Sequence, residues 1–432
     1  MQTRLIAERM LILKKYFVLY VCCYFCFQAL DLVIWKIASL PFFDKALAFY
    51  SRFWRWITPW FAKNVLHLKA AVAYSATGSG DTTYDYVVEL LCLILAALLA
   101  LVVLVPGKKI SQKKLCSWTH IAVRYFLAYY LFSYGFVKVI KLQFPYPGLT
   151  RLTERYGDSS PMGLAWTFLG YSGAYNYFMG FAEVLAGVFL LWRRTTLLGA
   201  IVTIGVMLNV VVMNYTFDIP VKIFSTNLLI MAIFLTAFDF QRLVNFFILN
   251  KAVTPPPANY QMAGKRKIVF RRLMKGLVIF TVLYFTLWSS YQKRGKYMDF
   301  QQRPPLYGIY NVERYFKGNA EVPLFFTDTA HWRQVIFNYP GYVNLRSVSD
   351  STVPLKLALD TVKKTMTFLS RTDSTTMYNL RYNMPDKEHL HLYGYSVVDH
   401  DSIQVWLKRF NEKNFRLMKT GFRWINEFPY NR

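Results

Sequence analysis

About seven runs of roughly 19 or more mostly apolar residues run through this 432-residue chain, each long enough to cross a hydrocarbon core of about 30 Å as a helix. They lie roughly at 16–38, 86–106, 119–142, 174–192, 196–216, 223–241 and 273–290. Backbone polar groups in lipid must be satisfied within the segment, so these runs predict a membrane α-helical bundle of about seven spans. The first run has the basic flank of a signal peptide, "RLIAERMLILKKYF". Its apolar stretch is too long and lacks a small-residue cleavage site, which predicts an uncleaved span.

The chain is 55% hydrophobic yet carries 51 Lys and Arg against 24 Asp and Glu, a net charge of +27. Basic flanks around apolar spans explain that combination. No RNP, zinc-finger or helix-turn-helix pattern accompanies the charge, so nucleic acid is not an expected partner; the lipid bilayer is. Basic residues at Arg4, Arg9, Lys14 and Lys15, in "GKKISQKK", at Arg193 and Arg194, and in "KRKIVFRRLMK" fall on one side if every span is real. The N-terminus is then cytoplasmic and the C-terminus outside. The 40–84 loop, with Lys45, Arg52, Arg55, Lys63 and Lys69, disagrees. Its stretch "YSRFWRWITPWFAKNVLHL" interleaves Trp54, Trp56 and Trp60 with basic residues, which fits a helix lying in the interface.

From about Tyr291 the chain turns polar, and from Val322 it shows short alternating runs: "RQVIFNY", "YVNLRSV", "VPLKLAL", "KTMTFLS", "MYNLRYN", "HLHLYGY", "SIQVWLKRF" and "NFRLMKT". Turn formers separate them, so an extracytoplasmic antiparallel β barrel or sandwich is expected. Four regions follow: N-terminal helices with the Trp-rich helix over 1–118, a membrane bundle over 119–245, a Pro-rich cytoplasmic linker and last span over 246–290, and the β domain over 291–432.

Within the fourth run, "AYNYFMGFAEVLAGVFLLW", Glu183 falls near mid-membrane, where a charge costs about 2.5–3.5 kcal/mol and marks a functional site by default. It is the one deep carboxylate this pattern reveals. Helical spacing sets Asn176, Gly180 and Gly187 on its face, so Glu183 should point into the bundle as a structural clamp or a proton-handling group. Tyr130, Ser133, Tyr134 and Asn209 lie at a depth that makes them its expected partners. Lys141 is expected to snorkel. Lys138, one turn deeper, either snorkels too or faces a cavity as a base or anion-binding group. Asn214, Asp218 and Lys222 crowd a turn at the same mouth, as capping groups or as part of a site.

Of five cysteines none lies in the tail, so no disulfide framework is implied. Cys23-x-x-Cys26 has redox spacing, but a pair inside an apolar helix is more often a pair of small packing residues, made inert by burial. His389-x-His391 puts two imidazoles on one strand face without an evident third ligand, and no metal site is assigned.

The strings "VRYFLAYYLFSYGFVKVIKLQFP", "GDSSPMGLAWTFLGYS", "GFAEVLAGVFLLWRRTTLLGA" and "VMLNVVVMNYTFDIPVKIFSTNLLIMA" resemble the DoxX-like family of small bacterial membrane proteins. The resemblance covers about 124–239 and implies a four-helix core, in which Glu183, Ala186 and Gly187 match the family's glutamate and small residues and Lys138 its lysine. It also implies a bacterial cytoplasmic (inner) membrane location and quinone- or thiol-related redox work. A fainter similarity, in the Gly135-to-Lys138 spacing, is to the transmembrane domain of vitamin K-dependent carboxylase. Two functions are expected. In one, an isoprenoid quinone or lipid ligand enters the bundle, Glu183, Lys138 and Tyr130 act on it, and Tyr134, Asn209, Asn214 and Asp218 hold it. In the other, the β domain holds an envelope protein partner and the helices anchor it.

Overall fold

The computed structural model describes residues 2–38, 44–104, 112–254, 265–294, 302–323, 331–419 and 421–428. The chain divides into two compact units, Met1–Gln143 with Gly173–Lys293, and Phe144–Ser172 with Arg294–Arg432.

The first unit is helical: α1 (Gln2–Ala38), α2 (Asp44–Asn64), α3 (Thr83–Leu104) and α4 (Gln112–Val139) precede the excursion into the second unit. That excursion contains α5 (Leu149–Thr153) and α6 (Pro161–Tyr171). The chain returns as α7 (Gly173–Leu191), α8 (Thr196–Thr216), α9 (Lys222–Ala237), α10 (Phe240–Leu243) and α11 (Lys265–Lys293). Among the described residues four helices are long and apolar enough to cross a membrane: Met10–Leu30 of α1, α3, α7 and α8. Taking α9 together with Phe240–Ile248, bent by 72°, adds a fifth. The expectation of seven spans is not supported. Helices do form over the two remaining runs, but α4 dilutes its apolar residues with tyrosines, His120, Arg124 and Lys138, and α11 opens on a basic stretch and closes on polar turns. The Pro-rich linker lies mostly at 255–264, outside the described residues.

α4, α7, α8 and α9 pack in a closed ring, with α1 against α3 and α4. Leu127, Phe132, Leu190, Met231 and Leu235 are buried at its core. Asp81 accepts hydrogen bonds from the backbone N–H of Lys222 (2.7 Å) and Ile223 (3.0 Å), satisfying donors that the start of α9 would otherwise leave unpaired. On α2, Trp54, Ile57 and Phe61 pack against Val87 and Leu91 of α3. Phe49, Phe53, Trp56 and Trp60 recur at helical spacing on another face and are exposed.

In the second unit β1 (Gly308–Lys317), β2 (Ala320–Glu321), β3 (Trp332–Phe337), β4 (Tyr342–Ser347), β5 (Thr352–Asp360), β6 (Thr365–Leu369), β7 (Thr376–Asn383), β8 (His389–Ser396) and β9 (Asp401–Phe410) pair antiparallel in sequence order. β9 returns to β1, so β1 and β3–β9 close an eight-stranded up-and-down barrel with β2 a short addition to β1. The alternatives of barrel and sandwich thus resolve to a barrel. Alternation fills its interior, with Val335, Phe337, Val343, Phe368, Leu390, Leu392 and Val405 at or near zero exposure, as eight strands leave room for side chains alone. "NFRLMKT" is not a strand; most of it forms a 3₁₀ turn and the short helix α12 (Arg416–Lys419).

The 144–172 segment, which the sequence places on the outer side of the 119–245 region, belongs to the second unit and packs on the barrel's outer face. Leu149 covers the outward-pointing Ile309 and Ile336, and Asn344 donates to Thr150 Oγ1 at 2.9 Å. Asp350 is ringed by Arg155, Arg333 (2.8 Å) and Arg346 (2.9 Å), and Arg346 also donates to the carbonyl of Thr153. Burial pushes the Asp350 carboxyl up, but the hydrogen bond from Arg155 and the charges of Arg346 and Arg333 outweigh it and hold the group below its usual range.

A carboxylate depressed in the native state stabilises fully above its unfolded pKa of about 3.9 and loses that contribution as pH falls through its native value. Asp350→Asn is therefore expected to destabilise the second unit at neutral pH by roughly 2–3 kcal/mol, below the value for a fully buried pair because two of the arginines are half exposed. Thermal unfolding near pH 7 and near pH 3 checks this. The variant should lose less stability on acidification than wild type, and equal losses would contradict the assignment.

Candidate functional site

α4 and α7 cross where both carry glycine. A Cβ on Gly135 would stand 2.7 Å from Val184 Cγ2 and 2.9 Å from the Gly180 carbonyl oxygen; one on Gly180 would stand 2.8 Å from the Gly135 carbonyl oxygen. Further along, Gly187 meets Phe132 and Ala128. Residue numbers fall on one helix as they rise on the other, so the helices are antiparallel. Small residues permit this close approach of backbones.

One turn beyond each glycine sit Lys138 and Glu183. Every helical Cα–Cβ bond tilts toward its own N-terminus, and in an antiparallel pair those directions oppose. Lys138 leans back toward the crossing and Glu183 leans to meet it. The Lys138 ammonium donates to both carboxylate oxygens, at 2.8 and 2.9 Å, with side-chain exposures of 7% and 3%. The spacing-based face of Glu183 is the one observed: Asn176, Gly180, Ala186 and Gly187 are buried with it. Its principal partner differs from the tyrosines and Asn209 expected from depth. Nor does Lys138 snorkel, because the carboxylate offers its ammonium a partner within the seam.

One ring stands beside the pair, and two more pack on it. Lys138 Nζ lies 5.6 Å from the centre of the Tyr134 ring, a cation–π distance. Tyr134 stacks with Tyr130 at 6.3 Å, and Phe224 of α9 lies 4.7 Å from Tyr130 and 6.3 Å from Tyr134. Tyr134 is 38% exposed, so this aromatic group has one open side.

The other expected ligand-holding residues lie elsewhere. Asn209 is exposed on α8, because that helix buries Gly199, Ala200, Thr203, Met207 and Asn214 instead. Asn214 donates to Ser225 Oγ at 2.9 Å, tying α8 to α9. Asp218 is exposed in the turn with φ +50° and accepts from Lys222 at 2.7 Å. Both organise the turn. In the tail His391 stacks on Trp406 at 3.9 Å and His389 meets Asp386 at 2.8 Å.

A second polar centre escaped the sequence. Tyr24 of α1 donates to the Glu89 carboxylate of α3, and its hydroxyl oxygen lies 2.8 Å from Asn227 Oδ1. Asn227 and Gln28 each donate to Glu89 at 3.2 Å. Glu89 is thus a second carboxylate among the helices, masked in sequence by its position near the start of an apolar run. Asn227 lies one turn along α9 from Phe224, on the same side of the helix.

The second unit holds a cleft of about 290 Å³ between the 144–172 segment and the barrel, lined among others by Tyr146, Leu149, Arg303, Tyr307, Asn338 and Glu412. It mixes aromatic surface with one acid and one base.

Over 126 residues, 29% of this chain, the sequence is 40% identical to the protein YwoB of Bacillus subtilis (strain 168), covering 79% of that protein. No family model and no solved structure matches the chain.

Proposed function

We propose, on the premise that this chain belongs to the family of Bacillus subtilis YwoB, that it is a multi-pass membrane protein with a DoxX-like core that holds an isoprenoid quinone at Lys138 and Glu183. The observation carrying this reading is the buried pair with the Tyr134 ring beside it and Tyr130 and Phe224 packed on that ring. An ionisable pair among apolar helices is costly to maintain and is more often functional than decorative.

The residues suit a planar, weakly polar ring. Tyr134, Tyr130 and Phe224 supply aromatic surface, and the open side of Tyr134 lets a ligand come from lipid with its tail left behind. Lys138 supplies a hydrogen-bond donor for a ring oxygen, and Glu183, released from part of its bidentate contact, takes or gives a proton at a carboxylate oxygen. A bound quinone supplies two-electron, two-proton chemistry. This reading takes α4 and α11 as crossing too, which gives the topology the basic flanks favour: N-terminus cytoplasmic, α2 in the interface with its exposed aromatic stripe in lipid, and the barrel outside a bacterial cytoplasmic membrane.

Native mass measurement of the protein released from mild detergent tests the reading. Quinone should accompany wild type and be lost from Glu183→Gln; bulk phospholipid alone in both samples would remove the proposal. The second reading, a membrane-anchored protein whose outer unit binds an envelope partner, is favoured by the cleft beside Arg303 and Glu412, and it is the one that a quinone-free wild type would leave.

A further inference from the structure

The sulfurs of Cys22 on α1 and Cys116 on α4, 94 residues apart in the chain, lie 3.7 Å from each other. One turn along both helices, Cys26 Sγ lies 3.6 Å from Thr119 Oγ1, so the two helices run parallel here and bring a cysteine-rich seam together. Cys22 is fully buried and Cys116 half-buried. The pair does not use the Cys23-x-x-Cys26 spacing: Cys23 packs into the apolar core.

We infer that Cys22 and Cys116 form a redox-active dithiol that closes to a disulfide by reducing a quinone. A single thiol in apolar surroundings is inert, but a second sulfur in van der Waals contact offers the bond-forming partner. Closure from 3.7 Å to the roughly 2.05 Å of a disulfide needs only a modest adjustment of the seam. In the step two S–H bonds break and one S–S bond forms. The two electrons and two protons released pass to the quinone, whose oxygens gain two O–H bonds as the quinol. A quinone reaches such a seam from lipid, where a charged or bulky oxidant does not. Closing the bond ties α1 to α4, the helix that carries Lys138. The choice of oxidant rests on the functional reading above; the dithiol rests on the sulfur geometry alone.

The test uses the full-length protein in nanodiscs, reduced, freed of reductant, and treated with a short-chain ubiquinone or, separately, with the thiol oxidant diamide. Remaining thiols are then alkylated and the peptides mapped by mass spectrometry. The expected result is a Cys22–Cys116 cross-link in both arms with quinol appearing in step with it. The link should vanish in Cys22→Ser and in Cys116→Ser and persist in Cys23→Ser, with thermal unfolding confirming that each variant is folded. Cys22 and Cys116 both alkylated after quinone treatment, or a cross-link through Cys23 or Cys26 instead, overturns the inference. A Cys22–Cys116 link driven by added quinone in a protein that carries none as purified upholds the dithiol and removes the Lys138–Glu183 quinone site; co-purified quinone with both thiols alkylated does the reverse.

Discussion

Replacing Lys138 with methionine is expected to destabilise the helical unit by roughly 3–5 kcal/mol, because it strands the Glu183 carboxylate without its counter-charge in a site closed to water. The same substitution combined with Glu183→Leu should recover most of that loss. Two well-packed apolar side chains of similar volume are often no worse than a buried ion pair, since the desolvation penalty of both charges disappears. Thermal unfolding in detergent, on the two single variants and the double, reads the difference directly. A Lys138→Met protein as stable as wild type would mean that Glu183 finds water or another partner, and the sheltered seam would be wrong.

Gly180→Val is expected to have an effect of similar size by a different route. Its Cβ would sit 2.8 Å from the backbone oxygen of Gly135 and 2.9 Å from the backbone nitrogen of Val139. Backbone cannot rotate aside as a side chain can, so the helices must separate. Overpacking of this kind costs roughly 1–3 kcal/mol, and the separation also lengthens the Lys138–Glu183 contact, which depends on the crossing. Gly205→Ala on α8 is the control: nothing lies within 4 Å of its built Cβ, and removing a mid-helix glycine should stabilise by roughly 0.5–1 kcal/mol. Equal melting temperatures for the Gly180 variant and wild type would contradict the close crossing.

What sequence disclosed depended on whether the signal was local. Seven alternating runs became β3 to β9, because period-two patterning records which side of a strand meets the core. β1 was missed: "GIYNVERYFK" carries a bulge between Val312 and Arg314, which interrupts the alternation. "NFRLMKT" imitated a strand too short to pair. Glu183 and its small-residue face were legible from helical spacing alone.

Its partner was not. Depth counting ranks residues by height, whereas the lean of antiparallel side chains brings together Lys138 and Glu183 from different heights. Asn209 shows the converse, being at a suitable height but on the exposed side of α8. The 144–172 segment could not be assigned to the barrel because Leu149 on Ile309 and Ile336, and the arginines around Asp350, are contacts between distant parts of the chain. Glu89 and the Cys22–Cys116 approach are hidden for the same reason.

The most direct measurement compares bound small molecules, by native mass spectrometry, in wild type and in the Lys138→Met/Glu183→Leu protein, whose fold is expected to survive. Quinone should be present in the first and absent from the second at matched stability. Equal quinone in both, or none in either, would contradict a ligand site at the ion pair and leave it a clamp between two helices.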